Sequence, residues 1–222
     1  MKQRYPHFFC VLFLVFVLTG CGENGATTVS TEGATSMEKV IGFLSEVYEE
    51  NHPEISVTYN PTGSGAGIQA VQEGRCDIGL SSRSLTDSEA ETLSANIVAI
   101  DGIAVVVHPQ NPLENVSLAQ LGQLYRGELA NWADLGGNNA PVVCIGREAA
   151  SGTRDGFEAI IDAKDRCIYT QELTSTGDVM QTVASNPNAI GYAALASVKD
   201  TVKVLSIDNV FPSTETMQPF DP

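Results

Sequence analysis

The chain has 222 residues, 43% of them hydrophobic, which is enough for one large domain or two small lobes with a proper core. Its 12 basic and 27 acidic residues give a formal net charge of −15. A chain this acidic lacks the basic patches that nucleic-acid binding requires. Any anion that it binds must therefore be held by local donors against an unfavourable overall field.

The N-terminal residues have the features of a bacterial export signal. Two basic residues among the first four precede an apolar run at 8–18 that is too short to span a bilayer comfortably. The run ends in Leu-Thr-Gly-Cys, which resembles the bacterial lipobox, in which the cysteine is lipidated. We therefore predict a lipoprotein signal peptide at 1–21, lipidation at Cys21 and a flexible tether at 22–30. A plain signal peptide that leaves the cysteine free is the alternative.

Strand and helix patterns alternate along the rest of the chain. A break rich in proline at 108–112 is typical of a crossing between lobes. The predicted strands are 55–59, 77–80, 97–100, 103–107, 142–145, 190–193 and 202–207. The predicted helices run to Val71, Tyr125 and Val183, with others that begin after Ser36, Thr86 and Ser151.

This alternation implies an α/β fold with mostly parallel sheets. In open α/β sheets, ligands bind beyond the carboxyl ends of the strands. The turns of this chain that are rich in glycine and hydroxyl residues occupy such ends, so we expect a binding site there.

The stretch 146–157 carries the most specific chemistry, because it follows an apolar strand and begins a helix. Ser151 is a good N-cap, and Gly152 lets the backbone approach a ligand closely. The free N–H groups of the helix start, the hydroxyls of Ser151 and Thr153, and the Arg147 guanidinium would form a cage of donors for a small oxyanion. The alternative is an ordinary N-cap beside a surface arginine.

Several stretches between residues 31 and 212 resemble the PstS family, the phosphate-binding proteins of phosphate-specific ABC transporters. The stretches are 33–36, 62–67, 77–83, 146–155 and 179–187. The resemblance implies a periplasmic-binding-protein-like fold. In that fold each of two lobes is a mostly parallel sheet flanked by helices, and the lobes close on phosphate in the cleft between them.

We expect lobe I at 31–107, with 203–222 returning to it, and lobe II at 108–202. Family members usually continue with a strand and helices that return to the first lobe. This chain therefore resembles a truncated or divergent copy whose first lobe is short of structure.

The resemblance also implies which residues hold phosphate, with Arg147 supplying a fork of two donors. They are Thr35, Ser36, Ser64, Ser82, Arg147, Ser151, Gly152 and Thr153.

Some members have aspartates where this chain has Ser82 and Ala149. We therefore expect Glu148, Asp155 or Ser82 itself to accept the hydrogen bond that protonated phosphate donates. Asp178 is a further carboxylate nearby. The alternative is that Glu148 and Asp155 only pair with neighbouring arginines.

The expected function is high-affinity extracytoplasmic binding of inorganic phosphate, with delivery to the permease subunits of an ABC transporter. We expect a monomer that is anchored by lipid to a bacterial membrane and uses no cofactor or metal. The alternatives are a binder of sulfate, molybdate or tungstate, and a truncated copy that does not transport. An enzyme is disfavoured, since His52 and His108 each precede a proline and the chain has no Gly-x-Ser-x-Gly elbow or metal cluster of His and Asp.

The mature chain keeps three cysteines, Cys76, Cys144 and Cys167. An odd number cannot be fully paired within one chain. A disulfide between Cys144 and Cys167 and buried free thiols are both compatible with the sequence.

Overall fold

The computed structural model describes residues 26–216, so Cys21 and the predicted signal peptide lie outside the described residues. The strands are β1 Thr27–Gly33, β2 Ile55–Asn60, β3 Ile78–Leu80, β4 Ile103–Val107, β5 Asn115–Val116, β6 Val143–Arg147, β7 Gln171–Leu173, β8 Ala189–Ala194, β9 Lys203–Val204 and β10 Ser206–Ile207. The α-helices are α1 Glu38–Asn51, α2 Ser64–Gln72, α3 Asp87–Ala90, α4 Leu118–Tyr125, α5 Gly152–Ile160 and α6 Thr176–Ser185. None of these helices has the length and apolar character needed to cross a bilayer.

The first lobe is a three-stranded parallel sheet in the order β2-β1-β3. Its central strand ends at Gly33, where φ is +142° and a Cβ atom would lie 2.1 Å from the Leu80 carbonyl oxygen. Only glycine fits such a conformation and such a close approach. The Gly33 carbonyl then accepts hydrogen bonds from Thr62 N (3.0 Å) and Gly63 N (2.9 Å), so this glycine joins the ends of β1 and β2.

The second lobe is a five-stranded sheet in the order β7-β6-β8-β4-β9. β6 is parallel to β7 and β8, whereas β4 is antiparallel to β8 and β9. All of β8 is buried because helices cover both faces of this sheet. Side chains of α4 and α5 form one buried cluster, and side chains of α6 form the other. The predicted α/β class with sheets that are mostly parallel is confirmed.

The lobe boundaries differ from the expected ones. β1 begins at Thr27, so the last four residues of the predicted tether 22–30 form strand and pair with β2. β4 and β9 pair in the second sheet, and β10 pairs with β5, so these strands do not belong to the first lobe. The chain passes between the sheets at 81–102, and the predicted crossing at 108–112 is a turn after β4. The sequence pattern indicated buried strands but did not specify which sheet each one joins.

Large apolar side chains of the first lobe are exposed. Within the described chain, none of the side chains of α1 is buried, and Phe43 is 65% exposed. Residues 97–100, predicted as a strand, form none, and Ile97 is 88% exposed. Both buried clusters found in the described residues consist of second-lobe side chains. We infer that the second lobe supplies most of the stability of the described fold.

The three described cysteines are free thiols, so the Cys144–Cys167 disulfide is not formed. Burial raises the pKa of Cys144 to about 12. A buried thiol with a raised pKa is chemically inert, and Cys144 therefore acts as an ordinary core residue.

The close approach at Gly33 gives a test of the fold. Gly33→Ala should lower the free energy of unfolding by at least about 2 kcal/mol, because it adds a Cβ against Leu80 O at a positive φ. Gly42→Ala is the matched control, since no atom lies within 4 Å of the new Cβ and alanine favours the α1 helix by about 0.5–1 kcal/mol. Urea unfolding followed by circular dichroism measures both, and equal midpoints for the two variants would contradict the geometry.

Candidate functional site

The predicted donor turns of the two lobes meet face to face. Gly65 N in the first lobe donates a 3.0 Å hydrogen bond to Ala150 O in the second. A Cβ atom on Gly152 would lie 2.7 Å from both Ser64 Oγ and Ser82 Oγ, so only glycine permits this approach. The lobes are therefore closed on each other around a small shared space.

Two helix N-termini border this space. α2 begins at Ser64, and α5 begins at Gly152 after the N-cap Ser151, whose Oγ accepts a hydrogen bond from Arg154 N. The first amides of each helix have no partner within the helix and lie at its positive dipole end. Ser64, Ser151 and Thr153 are all buried, so these donors lie largely out of water. The predicted N-cap and donor turn at 146–157 have the expected local structure.

The Ser36 hydroxyl is buried without a hydrogen-bond partner among residues 26–216. Ser36 lies in the 3-10 turn Thr35–Met37 that follows β1. Its neighbour Thr35 does have partners, because Thr35 Oγ1 lies 3.2 Å from Thr176 Oγ1 and accepts a hydrogen bond from Thr176 N. Buried polar atoms almost always have partners. An unpaired buried hydroxyl at this point therefore indicates the place of a ligand.

Arg147 is only 2% exposed, and its guanidinium is almost fully engaged by protein acceptors. Glu148 accepts from Nε and Nη2, both at 2.9 Å. The carbonyls of Leu173 and Thr174 accept from the same two nitrogens, and Thr176 Oγ1 accepts from Nη1 at 3.0 Å. A guanidinium has five N–H donors. The bonds above use the one on Nε, both on Nη2 and one on Nη1, which leaves a single Nη1 donor.

The predicted two-donor fork of Arg147 therefore faces Glu148 in this structure. The reason is electrostatic, since a buried cation needs a counter-ion and a bidentate carboxylate is the best available partner. Arg147 remains a candidate site residue, with one donor to offer.

The carboxylates considered as proton acceptors are mostly occupied. Both oxygens of Glu148 lie on Arg147, and Asp155 pairs with Lys164 at 3.0 Å. Asp178 is exposed near the start of α6. Glu148 therefore pairs with a neighbouring arginine, as the alternative prediction had it. Asp155 also forms an ion pair, but its partner is a lysine instead of an arginine.

Ser82 keeps a hydroxyl next to the donor turn. Its Oγ lies 3.1 Å from Ser64 Oγ, and its backbone N–H donates to the same Ser64 oxygen. A hydroxyl can donate or accept by rotation. Ser82 is therefore the acceptor candidate that this geometry favours.

Thr176 is a candidate site residue that the sequence prediction missed. It is buried, and its hydroxyl connects Thr35 in the first lobe to Arg147 in the second. The sequence did contain a sign of it, because Thr176 is the first residue of a helix that follows a strand. The same pattern identified Ser64.

Tyr59 holds the turn that carries Thr35 and Ser36. Its hydroxyl donates to Ala34 O at 2.9 Å. Burial and the nearby Glu38 charge raise the pKa of Tyr59 to about 12, although the Arg147 charge opposes the shift. Tyr59 therefore remains a protonated donor at neutral pH.

A cleft of about 550 Å³ opens beside the paired threonines Thr35 and Thr176. Lys39 and Lys199 border it. Lys39 Nζ also donates to Ala196 O at 2.8 Å, which adds a further contact between the lobes. Glu38 also lines this cleft, so one acidic side chain lies beside the two lysines and leaves a small excess of positive charge there.

Known proteins similar to this chain are named for the binding of phosphate. A family model described as the PBP superfamily domain matches residues 22–218. The phosphate-binding protein PstS of Bacillus subtilis is 30% identical over 201 residues, which cover 88% of this chain and 66% of that protein. The chain thus spans about two thirds of the length of this relative. PstS of Borreliella burgdorferi is 25% identical over 226 residues, with 93% of this chain and 81% of that protein covered.

Two solved structures share the fold at higher identity. A putative phosphate ABC transporter substrate-binding protein from Clostridium perfringens, solved with bound phosphate, has a TM-score of 0.82 and 36% identity and covers 85% of this chain and 79% of its own. An ABC-type phosphate transport receptor from Vibrio cholerae has a TM-score of 0.66 and 34% identity, with coverages of 84% and 79%.

Proposed function

The chain belongs to the PBP superfamily and, within it, to the PstS family, and we propose that it binds inorganic phosphate between its two lobes. The observation that carries this proposal is the buried, unpaired hydroxyl of Ser36 in the turn that also carries Thr35. The names of the relatives supply the ligand, because they are phosphate-binding or phosphate-transport proteins and one was solved with phosphate bound. The same names are those of binding proteins, which supports a binding role without catalysis.

Hydrogen bonds, more than net charge, would hold the anion. The ion pair of Arg147 with Glu148 carries no net charge, so the ligand charge meets helix N-terminal amides, hydroxyls and the single Nη1 donor. Each hydrogen bond to a charged group contributes about 1.5–3 kcal/mol net. A handful of such bonds in a dry space offsets the repulsion from a protein of charge −15.

Ser36→Ala tests this assignment through two effects of opposite sign. In the ligand-free protein the change removes an unsatisfied buried hydroxyl, so thermal stability should stay the same or rise. Phosphate affinity measured by isothermal titration calorimetry should fall about tenfold, since one bond to a charged ligand is lost.

Ser185→Ala is the control, because its exposed hydroxyl bonds only to Thr182 O and should change neither quantity. Phosphate binding that is unaltered in Ser36→Ala would place the ligand elsewhere, and a wild-type protein that does not bind phosphate would refute the function.

A second candidate, a general binder of tetrahedral oxyanions such as sulfate, is favoured by the occupied carboxylates. Hydrogen phosphate must donate its proton, whereas sulfate only accepts hydrogen bonds. A cage made solely of donors holds either anion, and one fixed acceptor rejects sulfate. With Glu148 on Arg147 and Asp155 on Lys164, the discrimination would depend on Ser82.

Competition titrations at pH 6 and pH 8 separate the two candidates. We expect phosphate to be preferred over sulfate by at least about tenfold, because sulfate has no proton to donate to the acceptor that hydrogen phosphate satisfies. Ser82→Ala should narrow the preference. If sulfate displaces phosphate at comparable concentration from the wild-type protein, the general oxyanion binder replaces the phosphate-specific one.

We also propose that the protein is anchored by lipid at Cys21 outside the cytoplasm and delivers phosphate to the permease subunits of an ABC transporter. The lipobox-like sequence supports the anchor, and the transporter names of the relatives support the partner. In cells, Cys21→Ala should abolish incorporation of labelled palmitate and release the protein from the membrane fraction. Labelling of the variant at the wild-type level would contradict the anchor.

A further inference from the structure

Two tyrosines occupy the gap where β6 and β8 move apart. The paired register of these strands covers Val143 and Cys144 and ends before Ile145. Beyond that point, Tyr125 Oη lies 3.3 Å from Ile145 O and can donate to it, in place of a strand partner. The second hydroxyl, that of Tyr192, accepts the Arg147 N–H at 3.1 Å. On the side that faces β8, side chains thus replace backbone pairing at the end of β6, while β6 stays paired with β7 as far as Arg147.

The backbone of Arg147 is held on both sides. Its N–H donates to Tyr192 Oη, and its carbonyl accepts from Arg154 Nη1 at 2.9 Å. The side chain is held separately by Glu148 and Thr176. Backbone and guanidinium are therefore fixed by different groups.

The two groups that hold this backbone are themselves anchored. Arg154 Nε donates to the buried Glu158 at 2.7 Å, and the Arg154 guanidinium lies 4.7 Å from the centre of the Tyr169 ring. Tyr169 donates to the same Glu158 and lies 3.3 Å from Tyr192 Oη. Burial raises the pKa of Tyr192 to about 12, so its hydroxyl keeps its proton and remains neutral at physiological pH.

The Tyr192 hydroxyl is not needed for packing. Its ring stacks on Phe157 with centroids 3.9 Å apart, and phenylalanine would keep that contact. The hydroxyl instead meets a backbone N–H that would otherwise be buried without a partner.

We propose that Tyr192 and Arg154 are positioning residues of the anion site, which fix the Arg147 peptide so that its free Nη1 donor faces the ligand. This inference rests on the proposed phosphate-binding function. A binding group needs its geometry held within about 0.5 Å by surrounding contacts, and a freed peptide would allow the guanidinium to follow Glu148 away from the ligand.

Tyr192→Phe in the full chain tests the role, with Tyr125→Phe as the matched control. Both changes remove one buried hydroxyl that bonds to β6, and both should lower the melting temperature. Only Tyr192→Phe should weaken phosphate binding, by about tenfold. Its Arg147 amide should also lose protection from hydrogen exchange, which is a readout that general destabilisation of the core does not single out.

Arg154→Gln provides a second variant should Tyr192→Phe fail to fold. It should weaken phosphate binding about threefold to tenfold, whereas Arg166→Gln, which breaks a surface pair with Asp162, should leave binding unchanged. Phosphate affinity within twofold of wild type in every folded variant of Tyr192 and Arg154 would overturn the inference. A wild-type protein that does not bind phosphate would instead overturn the proposed function.

Discussion

The ion pair of the buried Arg147 with the partly exposed Glu148 is the constraint on which the rest of the site depends. A cation that is nearly sealed from water is costly unless a counter-ion and further acceptors surround it. Glu148 supplies the counter-ion, and the carbonyls at the end of β7 supply the further acceptors. The contacts of Arg147 thus join the end of β6, the end of β7 and the start of α6.

The same pair defines the kind of recognition that the cleft can achieve. Because the arginine charge is already balanced, the cleft would attract an oxyanion through oriented amides and hydroxyls, with little help from excess positive charge. Specificity for phosphate over sulfate then depends on which group can accept a hydrogen bond from the protonated phosphate. The geometry favours Ser82 for that role. Lys39 and Lys199 line the cleft together with Glu38, and their small excess of positive charge would attract an approaching anion.

The sequence predicted those features of the site that depend only on neighbouring residues in the chain. The N-cap at Ser151 and the glycine at Gly152 follow from short-range rules that hold whatever the rest of the chain does. The sequence left the pairing of Glu148 with an arginine as one of two alternatives, because adjacent side chains face each other only when the chain turns between them. Thr176 was missed for a related reason, since a hydroxyl at a helix start is common and only tertiary contacts bring it to the arginine.

The sequence also could not predict which of the two sheets each strand joins. The apolar run of β4 fits a buried strand of either sheet, and nothing in its side chains specifies an antiparallel partner in the second lobe. The exposed apolar surface of the first lobe, at Phe43 and Ile97, follows from the small number of elements that pack on its sheet in the described residues.

A crystal structure of the phosphate complex tests the central claim most directly. The account predicts phosphate within hydrogen-bond distance of Ser36 Oγ and of the first amides of α2 and α5, with Glu148 still bidentate on Arg147 and one Nη1 donor on the ligand. Phosphate bound outside the space between the lobes would contradict the account. So would a guanidinium fork turned fully to phosphate, with Glu148 released into solvent.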